Sequence, residues 1–289
     1  MITIKSQREI DLLKIAGNIV YQTHKYLKPY VKEGISTLEL DKLAEDFIRS
    51  KDATPSFKGY QGFPATLCTS INSEVVHGIP NKNRILKNGD IISIDIGACY
   101  KGYHGDSAWT YVVGDIDNEI KELLEHTEKS LFIGLEQVKP GNRVGDIGYA
   151  IEQYARAHNL GVVKELCGHG VGTSVHEDPE VPNYGMRNTG PRLKEGMVIA
   201  VEPMLTLGSP NIFIHDNEWT IDTEDGSPSA HYEHTVVVTK DGYQILTGEW
   251  KDGQRRYNWN WRKSSWNYPR WKIQSSTRKW THCGSSRFW

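Results

Sequence analysis

The sequence predicts an α/β (α+β) protein of two related halves, each joining a helix pair to a carboxylate-bearing strand of a curved, mostly antiparallel sheet. Three observations carry that expectation. Within 86–106, Ile92, Ile94 and Ile96 alternate with Ser93, Asp95 and Gly97, the period-two pattern of a strand with one buried face. Turn residues around Tyr100-Lys101-Gly102 then reverse the chain into a second extended run, 105–113. Finally, Leu86-Lys87-Asn88-Gly89-Asp90-Ile91-Ile92-Ser93-Ile94-Asp95 aligns without gaps on 193–202, an offset of 107 residues that sets Asp95 on Glu202. The same offset relates Val31-Lys32-Glu33-Gly34 to Val138-Lys139-Pro140-Gly141.

The elements follow in order. Ser6-Gln7-Arg8-Glu9 has the form of a capping box, and Ile10, Leu13, Ala16, Val20, His24 and Leu27 then recur at helical spacing up to Pro29. Ser36-Thr37-Leu38-Glu39 repeats the signal and opens a second helix with Leu40, Leu43, Phe47 and Ile48 inward. Residues 51–80, rich in Gly, Pro and aromatics, read as loop and short strand. After the hairpin, 118–138 and 144–159 read as two further helices, and 161–176 returns to extended structure through GHGVG. The second carboxylate strand spans 193–205, and 232–238 is the last strand. Helices interleave with hairpins, which favours antiparallel pairing over a doubly wound parallel sheet.

Composition narrows the setting. The 289 residues are 38% hydrophobic and 24% charged, ordinary for a globular chain able to bury a large core. The opening MITIKSQREIDLLK is too charged for a signal peptide, and no apolar run has the length of a membrane span. Four cysteines without framework spacing point to a reducing, cytoplasmic setting. The formal charge of −2 hides an asymmetry: 250–289 holds ten Lys/Arg against one Asp and seven of the nine tryptophans. No helical or strand period is sustained there. The expected organisation is a catalytic body over 1–249 and a basic, disordered tail over 250–289. Cations interleaved with aromatics could bind RNA and bring the protein to the ribosome, although a tail without function is the favoured reading.

The acids carry the chemistry. If the hairpin loop is Tyr100-Lys101, Asp95 lies directly opposite Asp106, and Cβ atoms so paired are roughly 4.5–5.5 Å apart. Two carboxylates that close repel unless one is protonated or a cation lies between them. The second half offers Glu202 on an aliphatic strand, Glu233 beside a valine-rich one, and His169 between glycines. By the repeat, Asp95 corresponds to Glu202 and Asp106 to Glu233. Four converging carboxylates suit two divalent ions, and oxygen donors with one imidazole suit Mn, Fe(II), Co or Zn. Since Gly62 stands where the repeat would set a counterpart to His169, the two ions should be unlike. Glu202, next to a water activated by such ions, is the candidate to shuttle its proton.

DIGACYKGYHGDSAWT, CGHGVGTSVHEDPEVPNYG, GMVIAVEPML and SAHYEHTVVVT together resemble the type I methionine aminopeptidases, over roughly residues 1–249. The resemblance implies the pita-bread fold and two-metal removal of N-terminal methionine from nascent chains, with a small second residue preferred. It implies that Asp95, Asp106, His169, Glu202 and Glu233 bind two divalent ions, Asp106 and Glu233 bridging. It further implies that His176 contacts the scissile carbonyl, that His77 contacts substrate backbone near the leaving nitrogen, and that Phe57, Tyr60, Phe63, Cys68 and Trp219 form the methionine pocket. A mostly monomeric protein is implied. Leu166 and His231 depart from the family's usual residues, an aromatic and Gln, which leaves the surroundings of the ligands open to change. Two rivals stand beside that reading: an X-Pro peptidase of the same fold, and a metal-free binding module lacking the ligands that this chain has.

Overall fold

The structure is a computed structural model that describes residues 1–248. The expected tail, 250–289, lies outside the described residues. Helix α1 (Gln7–Leu27) starts from the capping box at Ser6, whose N–H donates to Glu9 Oε2 at 2.8 Å, and stops ahead of Pro29. Helix α2 (Thr37–Arg49) starts in the same way from Ser36 and Glu39. Helices α3 (Asn118–Leu135) and α4 (Val144–Ala157) repeat the pair. Leu13, Ala16, Val20, His24 and Leu27 of α1 are buried, as are Leu40 and Ile48 of α2; Ile10, Leu43 and Phe47 are half-buried. Each fully buried aliphatic side chain contributes about 1.5–3 kcal/mol, which holds the helices on the sheets.

In the first half the strands are β1 (Thr54–Pro55), β2 (Leu67–Ile71), β3 (Glu74–Val76), β4 (Ile91–Tyr100) and β5 (Tyr103–Val112). The second half holds β6 (Gly161–Val162), β7 (Cys167–Gly170), β8 (Glu177–Pro182), β9 (Val198–Val201), β10 (Met204–Thr206), β11 (Ile212–Ile214), β12 (Ile221–Thr223), β13 (Ser229–His231), β14 (His234–Thr239) and β15 (Gly242–Ile245). Every strand pairing among the described residues is antiparallel. Strand β4 runs between β2 and β5, and β9 between β14 and β7.

The repeat is structural. Isolated bridges join Ser36 to Ile85 and Arg143 to Arg192, at the sequence offset. Gly34 N–H donates to the Leu86 carbonyl at 2.9 Å, and Gly141 N–H to Leu193 at 3.2 Å. Both glycines have a positive φ, +88° and +94°, a region open to glycine at little cost.

Three expectations need correction. The hairpin turn is Lys101-Gly102, not Tyr100-Lys101, because Tyr100 pairs with Tyr103. Both turn residues have positive φ, +50° and +82°, as a two-residue turn matched to strand twist demands, and Gly102 meets that demand cheaply. Asp95 therefore opposes Ala108, and Asp106 opposes Gly97. The strand expected over 193–205 is broken at Glu202-Pro203 into β9 and β10, since proline offers no N–H to a ladder. The last strand is β15, which pairs with β14.

The halves are joined where β5 meets 231–235. Glu233 N–H donates to the Ala108 carbonyl at 2.9 Å, Ser107 Oγ to the Glu233 carbonyl at 2.6 Å, and Thr235 Oγ1 to the Asp106 carbonyl at 2.7 Å. The seam draws Asp106 and Glu233 together from opposite halves. A separate tether fixes α2 to β2: buried Asp41 Oδ1 accepts the N–H groups of Thr66 and Leu67 at 2.9 and 2.8 Å. Asp41→Ala leaves both donors buried without a partner, and urea unfolding should show a loss of about 2–4 kcal/mol.

Candidate metal centre

Each acid of the centre is aimed by its backbone. Asp95 on β4 and Asp106 on β5 are diagonal neighbours on one face, their carboxyls within hydrogen-bonding reach of one another. Glu202 occupies the break after β9, where Asn183 Nδ2 donates to its carbonyl at 2.9 Å. Glu233 precedes β14 at the seam between the halves. His169 on β7 has Nδ1 at 2.9 Å from the Gly170 carbonyl. That contact assigns the proton to Nδ1 and turns the Nε2 lone pair inward, 3.5 Å from Glu202 Oε1 and 3.9 Å from Asp106 Oδ2.

Burial and mutual repulsion govern the charges. Burial lifts Asp95 to about 6, opposed by the neighbouring His231. Asp106 is held well above the usual carboxylate range by burial and then by Glu233, Asp95 and Glu202. Glu202 is raised by burial, Asp95 and Cys167, and Glu233 by burial, Glu202 and Asp95. Burial lowers His169 to about 4, so its imidazole is neutral at pH 7. Such a group of acids cannot all ionise without a cation among them.

The residues present fit a metal. Asp95 Oδ1, Asp106 Oδ1 and Glu233 Oε1 are buried with no hydrogen-bond partner, and a bound cation would satisfy them. Asp106, His169 and Glu233 offer ligand atoms that lie within 4.8 Å of one another. Asp95 and Glu202 line the same cavity, of about 380 Å³.

Both expected catalytic histidines open onto that cavity. His77 has φ +59°, a left-handed conformation uncommon outside glycine. It is held between β3 and Gly78, whose carbonyl accepts the Thr69 N–H at 2.7 Å. A Cβ at Gly78 would lie 2.1 Å from the Thr69 carbonyl oxygen, so only glycine permits that crossing. Burial and neighbouring His231 lower His77 to about 3. His176 stacks on Tyr60 at 5.4 Å between ring centroids, its Nδ1 3.3 Å from the Tyr60 hydroxyl. Burial, with His169, His77 and His104 beside it, holds His176 well below the usual histidine range.

The residues expected to form a methionine pocket cluster together, though not all on the cavity wall. Phe57 lines the cavity. Tyr60, Phe63, Cys68 and Trp219 pack with it and Val175 as one apolar cluster, Phe63 meeting Trp219 edge-on at 5.2 Å. Cys68 on β2 stands directly opposite Asp95.

Sequence reasoning passed over Met204 and Cys167, and took His231 only as a departure; all three line the cavity. His231 Nε2 lies 3.5 Å from Glu202 Oε2, and Met204 pairs with His231 across β10 and β13. Period-two alternation could have found them, since Met204 follows Glu202 by two residues and His231 precedes Glu233 by two.

Residues 11–240 match the model of metallopeptidase family M24. The chain belongs to that family. It is 53% identical to methionine aminopeptidase 1 of Bacillus subtilis over 247 residues, covering 86% of this chain and 99% of the relative. It is 50% identical to the methionine aminopeptidase of Clostridium acetobutylicum over the same shares. The crystal structure of the Rickettsia prowazekii methionine aminopeptidase superposes with a TM-score of 0.84 at 42% identity, over 86% of this chain and all of that one. The M24 chain thus has the antiparallel, two-half architecture read from its repeat, and family membership carries metallopeptidase chemistry and the use of divalent metal.

Proposed function

We propose that this M24 chain removes the N-terminal methionine from nascent proteins and peptides, with a small second residue preferred. The observation that carries the reading is the gathering of four acids, two buried and two half-buried, around one inward-facing imidazole in a peptide-sized cavity, with three of the acid oxygens buried and unpartnered. Asp95, Asp106, His169, Glu202 and Glu233 would hold two divalent ions, drawn from cobalt, manganese, iron(II) and zinc. Such ions supply a water of lowered pKa and polarise a peptide carbonyl.

The protein groups do the rest. Glu202, ionised as a ligand must be, takes the proton of the attacking water and returns it to the leaving amine. Neutral His176 donates a hydrogen bond to the scissile carbonyl as negative charge develops on it. His77, fixed by its left-handed backbone, orients the peptide near the leaving nitrogen. The cluster of Phe57, Tyr60, Phe63, Cys68 and Trp219 receives the thioether, a soft group well matched to aromatic rings.

We assign the catalytic body to 1–249, acting as a cytoplasmic monomer on emerging N-termini, with the basic tail the segment that could bring it near the ribosome. No helix of the described residues is long and apolar enough to cross a membrane. Mass spectrometry of peptides incubated with protein and Co(II) or Mn(II) tests the function. Met-Ala-Ser should release free methionine, Met-Leu-Ser about 100-fold more slowly, and an X-Pro peptide should stay intact. A chain ending at 249 should cleave at the full rate. Cleavage of the X-Pro peptide in place of Met-Ala-Ser would overturn the reading.

A further inference from the structure

We propose that Lys5, outside the cavity, is a positioning residue for two of the functional histidines, His169 and His176. The inference rests on the proposed function for its kinetic part only. Residues ahead of α1 lie along the second half: Ile2 packs against its core, and Lys5 N–H donates to the Gly196 carbonyl at 2.8 Å. Gly196 admits that approach because a Cβ there would come within 2.8 Å of Ile4 and 3.0 Å of the Lys5 carbonyl oxygen.

From that seat the Lys5 side chain runs inward. Its Nζ meets Glu177 Oε2 at 2.6 Å, with only 6% and 13% of the two side chains exposed. Thr3 Oγ1 donates to the same carboxylate oxygen at 2.8 Å and also receives a bond from Lys5 Nζ. The other oxygen, Glu177 Oε1, accepts the N–H groups of Thr173 and Ser174 at 2.8 and 3.3 Å. One carboxylate thus closes the loop 172–177 from inside while Lys5 holds it from outside. The clamp is tight, for a Cβ on Gly172 would sit 2.3 Å from both Glu177 Oε1 and Lys5 Nζ.

That loop carries the working groups. His176 is the residue next to Glu177, and its ring centroid lies 4.0 Å from that of His169. The Gly172 carbonyl accepts the His104 N–H at 2.9 Å, tying the loop to the hairpin that bears Asp106. Removing the ammonium leaves a nearly buried carboxylate without its cation. The carboxylate then turns toward water, lets go of the Thr173 and Ser174 amides, and frees the backbone that aims both imidazoles.

Lys5→Met, close in length but uncharged, and Lys5→Arg, still able to pair with Glu177, are compared with the full-length protein at 25 °C. For Lys5→Met, kcat on Met-Ala-Ser should fall about 10- to 100-fold with KM little changed, the signature of misaligned groups rather than lost binding. Calorimetric titration of the metal-free protein with Mn(II) should show affinity weaker by about tenfold, the usual effect of losing support behind a ligand. Lys5→Arg should restore most of both. Thr3→Val, which removes both Thr3 bonds but no charge, should shift both readouts the same way by less, and serves if Lys5→Met folds poorly. A lowered melting temperature with wild-type kcat and metal affinity would make Lys5 a mere anchor and overturn the proposal. Should the wild type leave Met-Ala-Ser uncut, the proposed function fails, and the metal titration still decides the role of Lys5.

Discussion

His176→Ala should lower kcat on Met-Ala-Ser by roughly 100- to 1,000-fold, the usual cost of removing one donor aimed at a developing oxyanion. Metal content should stay at the wild-type value. The two effects separate because His176 lines the cavity yet stands outside the ligand set, its ring centroid 4.0 Å from that of His169. Its own Nδ1 is engaged by the Tyr60 hydroxyl and burial keeps the ring neutral, which suits Nε2–H to serve as the donor to substrate. Steady-state kinetics beside metal analysis of the purified variant checks this. Loss of all bound metal would show that His176 holds the centre together instead of acting on the substrate.

The metal-free protein should lose stability as pH rises from 6.5 to 8, and saturating Mn(II) should abolish or reverse that trend. A carboxyl whose folded pKa is raised contributes stability that is present below the unfolded value and lost as pH climbs through the folded one. Asp95 covers the window from the usual carboxylate range to about 6, and Asp106, Glu202 and Glu233 extend it upward. Buried histidines act in the opposite sense. His77, His169 and His231, lowered to about 3, 4 and 4, lose stability as pH falls below about 6.5 and are level above it. From pH 6.5 to 8 raised carboxyls therefore act without the histidines, the four of the centre joined in the lower part of the window by Glu128, which burial lifts to about 7 and which Mn(II) does not reach. A lower melting temperature at pH 8 than at pH 6.5 is expected for the metal-free protein. Bound metal requires ionised acids, so its stabilisation grows with pH. A flat profile without metal would mean that the four acids are not forced together.

The misplaced hairpin turn shows why the acids were legible despite an error of register. Moving the turn from Tyr100-Lys101 to Lys101-Gly102 shifts Asp95 from opposite Asp106 to opposite Ala108. A shift of two residues leaves every side chain on its original face, because the strand period is two. Asp95 and Asp106 still converge, now diagonally. Glycine chemistry at the turn could have settled the register, since a two-residue hairpin turn favours glycine at its second position. The break at Glu202-Pro203 was equally visible in the proline.

The sequence by itself determined the two-half plan, the starts of α1 and α2, the faces of the carboxylate strands and the five candidate ligands. The first three follow from local periodicity, capping chemistry and a repeat, which need no knowledge of distant contacts; the ligands, His169 above all, rest also on residue type and the family resemblance. Tertiary structure alone decided how the halves meet. The seam of β5 against 231–235 brings Asp106 beside Glu233 and turns His231 toward Glu202. It also decided that Lys5 reaches Glu177 across the fold and that the backbone at His77 is left-handed. The Asp106–Glu233 and Lys5–Glu177 pairings join residues more than a hundred positions apart, and nothing in the local pattern of either partner records the other.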